Sequence, residues 1–183
     1  DLYAEYGLAT VPSEINDAGK LISGTAVLDL RSGSLEYVGS TGPSNYNAIT
    51  CVDINEDGLI VGSAALRSTS LNIVSVFRYA PGAGWEFIAG TSRYTVANDI
   101  NNGGDVCWGE QGAGVFLEGS GSFALGGLLE PAVAAAGWAV TGNGCLLNDR
   151  RVVATSGRNS LTGESGAVLL TPEGALSPPT APA

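Results

Sequence analysis

Ile54-Asn55-Glu56-Asp57-Gly58-Leu59-Ile60-Val61 holds the end of one strand, a tight turn and the start of the next. An asparagine side chain folds back onto nearby backbone amides, and glycine takes a positive φ without steric cost, so Asn55–Gly58 has the chemistry of a turn. The run Leu59-Ile60-Val61 is apolar at consecutive positions, as expected of a strand covered on both faces. The unit recurs as Ile15-Asn16-Asp17-Ala18-Gly19, Ile100-Asn101-Asn102-Gly103-Gly104 and Leu147-Asn148-Asp149-Arg150-Arg151, with the asparagines 39, 46 and 47 residues apart. Apolar runs follow each copy at Leu21-Ile22, Val106-Cys107-Trp108 and Val152-Val153. A period of about 45 residues built from short strands predicts a β-propeller or a related repeat array.

Each repeat carries further strand and turn signals in the same order. A third strand is expected at Ala26-Val27-Leu28, Val76-Phe77, Val115-Phe116-Leu117 and Ala167-Val168-Leu169-Leu170. Turn residues follow at Ser32-Gly33, Pro81-Gly82, Gly119-Ser120-Gly121 and Pro172-Glu173-Gly174, and outer strands at Leu35–Val38, Trp85–Ile88 and Phe123–Leu125. The expected fold is therefore all-β: a four-bladed β-propeller with four antiparallel strands per blade. Its repeats fall roughly at 8–45, 46–93, 94–138 and 139–177 of a single domain over 1–177, with a proline-rich tail at 178–183. Pro178-Pro179 leaves the fourth repeat without a good outer strand, because proline brings no amide donor to a ladder. Residues 1–7, whose Ala4-Glu5-Tyr6-Gly7 resembles the other outer strands, are expected to supply a closing strand along Ala167–Leu170. That strand could come from the same molecule or from a neighbour.

Composition narrows the range of partners. A net charge of −10 and a pI near 4.2 disfavour nucleic acid and anionic membranes, and no apolar run reaches the roughly twenty residues of a membrane-spanning helix. With no histidine, Ser-His-Asp and Cys-His catalysis within the chain are excluded. No methionine occurs either, which fits a processed, secreted chain, and no Asn-x-Ser/Thr acceptor is present. Cys51, Cys107 and Cys145 leave two readings open: small buried hydrophobes, or one disulfide between neighbouring repeats that involves Cys107 and leaves one thiol over.

Ile54-Asn55-Glu56-Asp57-Gly58 through Val61-Gly62, Val76-Phe77-Arg78-Tyr79 and Leu125-Gly126-Gly127-Leu128 resemble the HAF-type extracellular repeat of bacterial and archaeal surface or secreted proteins. The likeness covers roughly residues 8–176, and the histidine that names the repeat is missing, with Ser75 and Gly114 near its place. The resemblance implies an extracellular β-propeller without defined catalytic residues.

Candidate sites are few. Asp53, Asn55 and Asp57 alternate oxygen side chains ahead of Gly58, which is half of a calcium loop; the competing reading is a plain asparagine turn. No other cofactor is expected. Two stretches read as long polar loops, 66–72 and 156–164, with Arg67, Asn72, Arg158 and Asn159 as binding candidates on one face of the ring. Trp138 ends the insertion at 130–137, expected to form one helical turn outside the blades, and is a candidate exposed interface aromatic. Glu5, Glu36 and Glu86 read as a solvated face of the outer strands. These features together predict a non-catalytic extracellular or cell-surface structural protein, self-associating as a homo-oligomer or polymer. The alternative is a carbohydrate- or protein-binding propeller module that uses the two loops on a surface glycan or protein. A glycoside-acting enzyme is the weaker third reading.

Overall fold

A computed structural model describes residues 5–8, 10–41, 43–67, 73–92, 95–110 and 112–172. The chain is all-β and forms four antiparallel sheets in sequence order. The first holds β1 (Glu14–Ile15), β2 (Lys20–Ser23), β3 (Ala26–Asp29) and β4 (Leu35–Tyr37). The second holds β5 (Tyr46–Ile54), β6 (Ile60–Leu66), β7 (Val74–Ala80) and β8 (Gly84–Ser92). The third holds β9 (Thr95–Ile100), β10 (Val106–Glu110), β11 (Gly114–Leu117) and β12 (Gly121–Ala124). The fourth holds β13 (Trp138–Leu147), β14 (Val153–Asn159) and β15 (Ser165–Leu170), three strands among the described residues. Each sheet is a meander in which every strand pairs with its sequence neighbour. The asparagine turn always joins the first strand to the second.

Register explains how the sheets bury their residues. Ile22 pairs with Val27, Val61 with Arg78, Cys107 with Val115 and Ala154 with Leu169, so these pairs occupy one repeat position. In the first three sheets this pair faces the sheet that follows. Ile22 and Val27 pack with Cys51, Ile54, Ile60 and Phe77 of the second sheet, and Val61 packs with Ala97, Ile100 and Val106 of the third. Cys107 and Val115 pack with Cys145, Leu147 and Val153 of the fourth. The residue before each turn asparagine faces the opposite way: Ile54, Ile100 and Leu147 are buried against the preceding sheet. Alternating side-chain direction along a strand produces this two-faced burial, with one apolar core between each successive pair of sheets.

Gly62 shows how tightly the second sheet is packed. A Cβ there would strike the Thr50 carbonyl and the ring of Phe77, the largest fully buried side chain. Phe77 in turn stacks at 4.3 Å on Trp85, so the Val61-Gly62 and Val76-Phe77 signatures serve one contact.

Two expectations change. Among the described residues no core cluster or strand pairing joins the fourth sheet to the first, so the described fold is a series of four packed sheets. The closing strand expected over 1–7 lies partly outside the described residues. Glu5 and Tyr6 are helical, and Tyr6 and Leu8 pack with Leu21, Ala26 and Leu28 of the first sheet, in a cluster that includes none of Ala167–Leu170. No described sheet covers that apolar face, and Tyr6 and Leu8 remove part of it from water.

Candidate functional site

The four turns are bonded to one another. Within each turn the asparagine Oδ1 accepts the amide four residues on: Lys20 at 2.8 Å, Leu59 at 2.9 Å, Asp105 at 2.9 Å and Val152 at 3.0 Å. The Nδ2 reaches forward to the next turn. Asn16 donates to the Asn55 carbonyl at 2.8 Å, Asn55 to the Asn101 carbonyl at 3.1 Å, and Asn101 to the Asn148 carbonyl at 3.0 Å. A second rung runs beside the first, from the Asp17 amide to the Glu56 carboxylate, the Glu56 amide to Asn102 Oδ1, and the Asn102 amide to Asp149 Oδ1. A third joins the Ile100 amide to Asp53 and the Leu147 amide to Asp99. Asparagine carries both an acceptor and a donor, so its Oδ1 closes its own turn while its Nδ2 addresses the next.

These bonds answer the calcium expectation at Asp53, Asn55 and Asp57. Asp53 Oδ1 accepts the Ile54 amide and Oδ2 the Ile100 amide, while Asn55 Oδ1 is taken by Leu59. Asp57 is exposed, and among the described residues no group of three or more His, Cys, Asp or Glu is arranged to hold a metal ion. Asp53 and Asn55 thus turn their side-chain oxygens to backbone amides, and Asp57 faces solvent.

The expected binding loops are also rearranged. Residues 68–72, and with them Asn72, lie outside the described residues; Arg67 is exposed at the end of β6. The 156–164 stretch is not a long loop. Ser156, Gly157 and Arg158 belong to β14 and pair with Ala167, Gly166 and Ser165, leaving a short turn at 160–164. Asn159 is buried and structural: its Oδ1 accepts the amides of Leu161 and Thr162, and its Nδ2 donates to the Ala136 carbonyl. Arg158 stays exposed on β14. The insertion forms α1 (Pro131–Ala135), but Trp138 is the first residue of β13, half-buried with its indole against Gly157 and Gly166. Side-chain-free backbone at these two glycines leaves room for the ring, so it packs within the sheet rather than projecting from the insertion.

Four charged residues that the motif reading passed over sit between sheets. Arg78 is buried beneath Glu86 and Glu118, donates to the Gly104 carbonyl at 2.8 Å and lies 4.5 Å above the Phe116 ring. Burial pulls its pKa down, but the hydrogen bonds and charges of Glu118 and Glu86 outweigh this and raise it. Asp105, almost fully buried, takes Asn101, the Glu118 amide and the Arg151 guanidinium. Arg151 stands where the other turns have glycine and holds a φ of 62°. Asp99 is pushed up to about 7 by burial and by its hydrogen bond to Asp53. A lone arginine in the apolar strand Val76–Tyr79 and an arginine at a glycine position were the available signals. Glu36 and Glu86 are likewise engaged, with Tyr79 and Arg78, rather than purely solvated.

Cys107 and Cys145 form a disulfide between β10 and β13, with a Cα–Cα distance of 6.1 Å, so the neighbouring-repeat disulfide is realised. Cys51 remains a free thiol whose pKa burial raises to about 12, an inert core group. An open cleft of about 380 Å³ lies beside the disulfide-linked sheets, lined by Val115, Leu117, Leu128, Val153 and Leu170 with Arg151 at its rim. That guanidinium is already held by Asp105 and faces the Glu118 carbonyl. Comparison of the chain with protein-family models, with curated proteins and with solved structures returned no match.

Proposed function

We propose that the chain is a non-catalytic scaffold module of the β-propeller type, exported from the cell and working by assembly. The observation that carries this reading is the use of its polar side chains. Asn16, Asn55, Asn101, Asp53, Asp99, Asp105 and Arg78 spend their hydrogen bonds on holding one sheet to another. Catalytic groups need an atom free to meet a substrate, and a scaffold does not. The disulfide suits an oxidising compartment, in keeping with the resemblance to extracellular repeats. The loop-based binding alternative loses support, since the first part of its 156–164 element, up to Asn159, is strand.

The discriminating experiment is a panel of chromogenic glycosides and esters tested alongside averaged particle images. The expected result is no turnover, with images of repeated sheets about a common axis. Turnover abolished by Asp99→Asn would overturn the reading, because the Asp53–Asp99 pair is the place where acid–base chemistry would begin.

A further inference from the structure

The first and last described sheets present two different and matching surfaces. Each turn asparagine donates forward and accepts from behind, so the first and last turns each keep one half of a rung. Among the described residues the Asn16 carbonyl accepts the Gly19 amide alone, whereas the carbonyls of Asn55, Asn101 and Asn148 each accept a further Nδ2 from the preceding turn. The Asp17 carboxylate stands where Glu56, Asn102 and Asp149 receive a preceding amide. At the other end the Asn148 Nδ2 and the Asp149 amide stand where the preceding turns donate forward, and both residues are exposed. One end presents acceptors, the other donors.

Apolar positions tell the same story. Ile54, Ile100 and Leu147 are buried against the preceding sheet, but Ile15 at the same position is 57% exposed. Val27, Arg78 and Val115 are buried against the following sheet, but Leu169 at the same register position is 66% exposed, with Leu146 at 67% beside the last turn. Charge matches as well: Arg150 is exposed in the last turn, and Glu14 and Asp17 are exposed around the first. Tyr6 and Leu8 already cover Leu21 and Leu28, while at the turn end of the first sheet Ile15 and Asp17 are exposed and Asn16 between them is buried.

We infer that the fourth sheet docks the first-sheet turn of a second copy of this chain, so that the asparagine rung and the rung beside it continue into the next molecule, while Leu146 replaces the aspartate of the third with an apolar contact. This rests on the reading of the chain as an assembly scaffold and names the surfaces through which it assembles. The contact is heterologous, with Leu146, Leu169, Asn148 and Arg150 of one molecule against Ile15, Asn16 and Asp17 of another. Such contacts give chains or rings of copies rather than a symmetric dimer. The interface continues the geometry of the contacts between successive sheets, where an apolar residue, an asparagine carbonyl and an acceptor side chain arrive together.

The test uses the full chain and two single variants, Leu169→Glu and Ile15→Glu, each blocking one end. Light scattering after size exclusion should show wild-type mass rising across about a hundredfold range of concentration, as mass action requires. Each variant alone should stay monomeric, and their mixture should run at about twice the monomer mass without growing further, since it retains one good end of each kind. Arg150→Glu should weaken wild-type association, and mixing it with Asp17→Lys should restore pairing. Near-ultraviolet circular dichroism confirms that each variant is folded, which both exposed positions permit. A wild type that is monomeric throughout overturns the inference, whether its own chain covers Leu169 or nothing does. A mixture of the two folded variants that stays monomeric overturns it equally. A wild type that assembles while the mixture of folded variants stays monomeric overturns these surfaces and leaves the assembly reading standing, whereas a wild type monomeric throughout overturns both.

Discussion

Asn55 Nδ2 donates to the carbonyl of Asn101, 46 residues ahead and one sheet away, at 3.1 Å, while Asn55 Oδ1 closes its own turn on Leu59 at 2.9 Å. One side chain thus sets both a local turn and a tertiary spacing.

Asn55→Ala should therefore cost about 2 kcal/mol or more, since a buried carbonyl and an amide both lose partners. Asn148→Ala should cost about 1 kcal/mol or less, because Asn148 is exposed and caps only its own turn. Urea denaturation of the two variants checks the ordering. Equal losses would mean that the rungs between turns contribute nothing.

The pH dependence of stability should carry the mark of Asp99. Its carboxyl is raised from 3.8 to about 7 by burial and by the Asp53 hydrogen bond, so between those values the folded chain holds a proton that the unfolded chain has lost. Stability from this group is fully present below about pH 4 and drains away as pH rises through about 7. Asn at this position still accepts the Leu147 amide but cannot titrate. Denaturation midpoints at about pH 4.5 and about pH 7.5 should differ less in Asp99→Asn than in wild type. An unchanged difference removes Asp99 from the account.

Reduction of Cys107–Cys145 releases a link across 38 residues of sequence and should lower stability by about 2–4 kcal/mol. Cys51, buried with its thiol raised to about 12, should resist iodoacetamide in the folded protein and label fully in denaturant. Mass spectrometry reads both. Native labelling of Cys51 would place it outside the core.

Gly58 and Gly163 hold φ angles of +79° and +77°, so valine at either should cost on the order of 1–3 kcal/mol. Gly127 holds no such angle and faces open space, and alanine there should be close to neutral. Thermal melts of Gly58→Val, Gly163→Val and Gly127→Ala test the contrast.

Local physics was legible and long-range physics was not. The turns at Asn16, Asn55, Asn101 and Asn148 and the strands beside them follow from side-chain-to-backbone bonds and apolar runs a few residues long. The 156–164 stretch misleads because its partners lie outside it. A polar stretch reads as a loop, yet backbone pairing with Ser165–Ala167 makes a strand of its first part and Asn159 makes a tight turn of the rest. Trp138 reads as projecting because the insertion before it is exposed; only Gly157 and Gly166, distant in sequence, provide its bed. The calcium candidate likewise rests on local spacing. Asp53 is committed to an amide on Ile100, a partner that no local motif reveals.

The single disulfide makes the molecule mechanically lopsided. It staples the third sheet to the fourth, while the first meets the second through non-covalent contacts alone among the described residues. In an array where each unit touches its neighbours, loss of structure begins at the weaker terminus and travels inward, as in a one-dimensional lattice. Amides of β1–β4 should exchange with solvent deuterium ahead of those of β10 and β13, giving the protein a soft leading end and a hard trailing one.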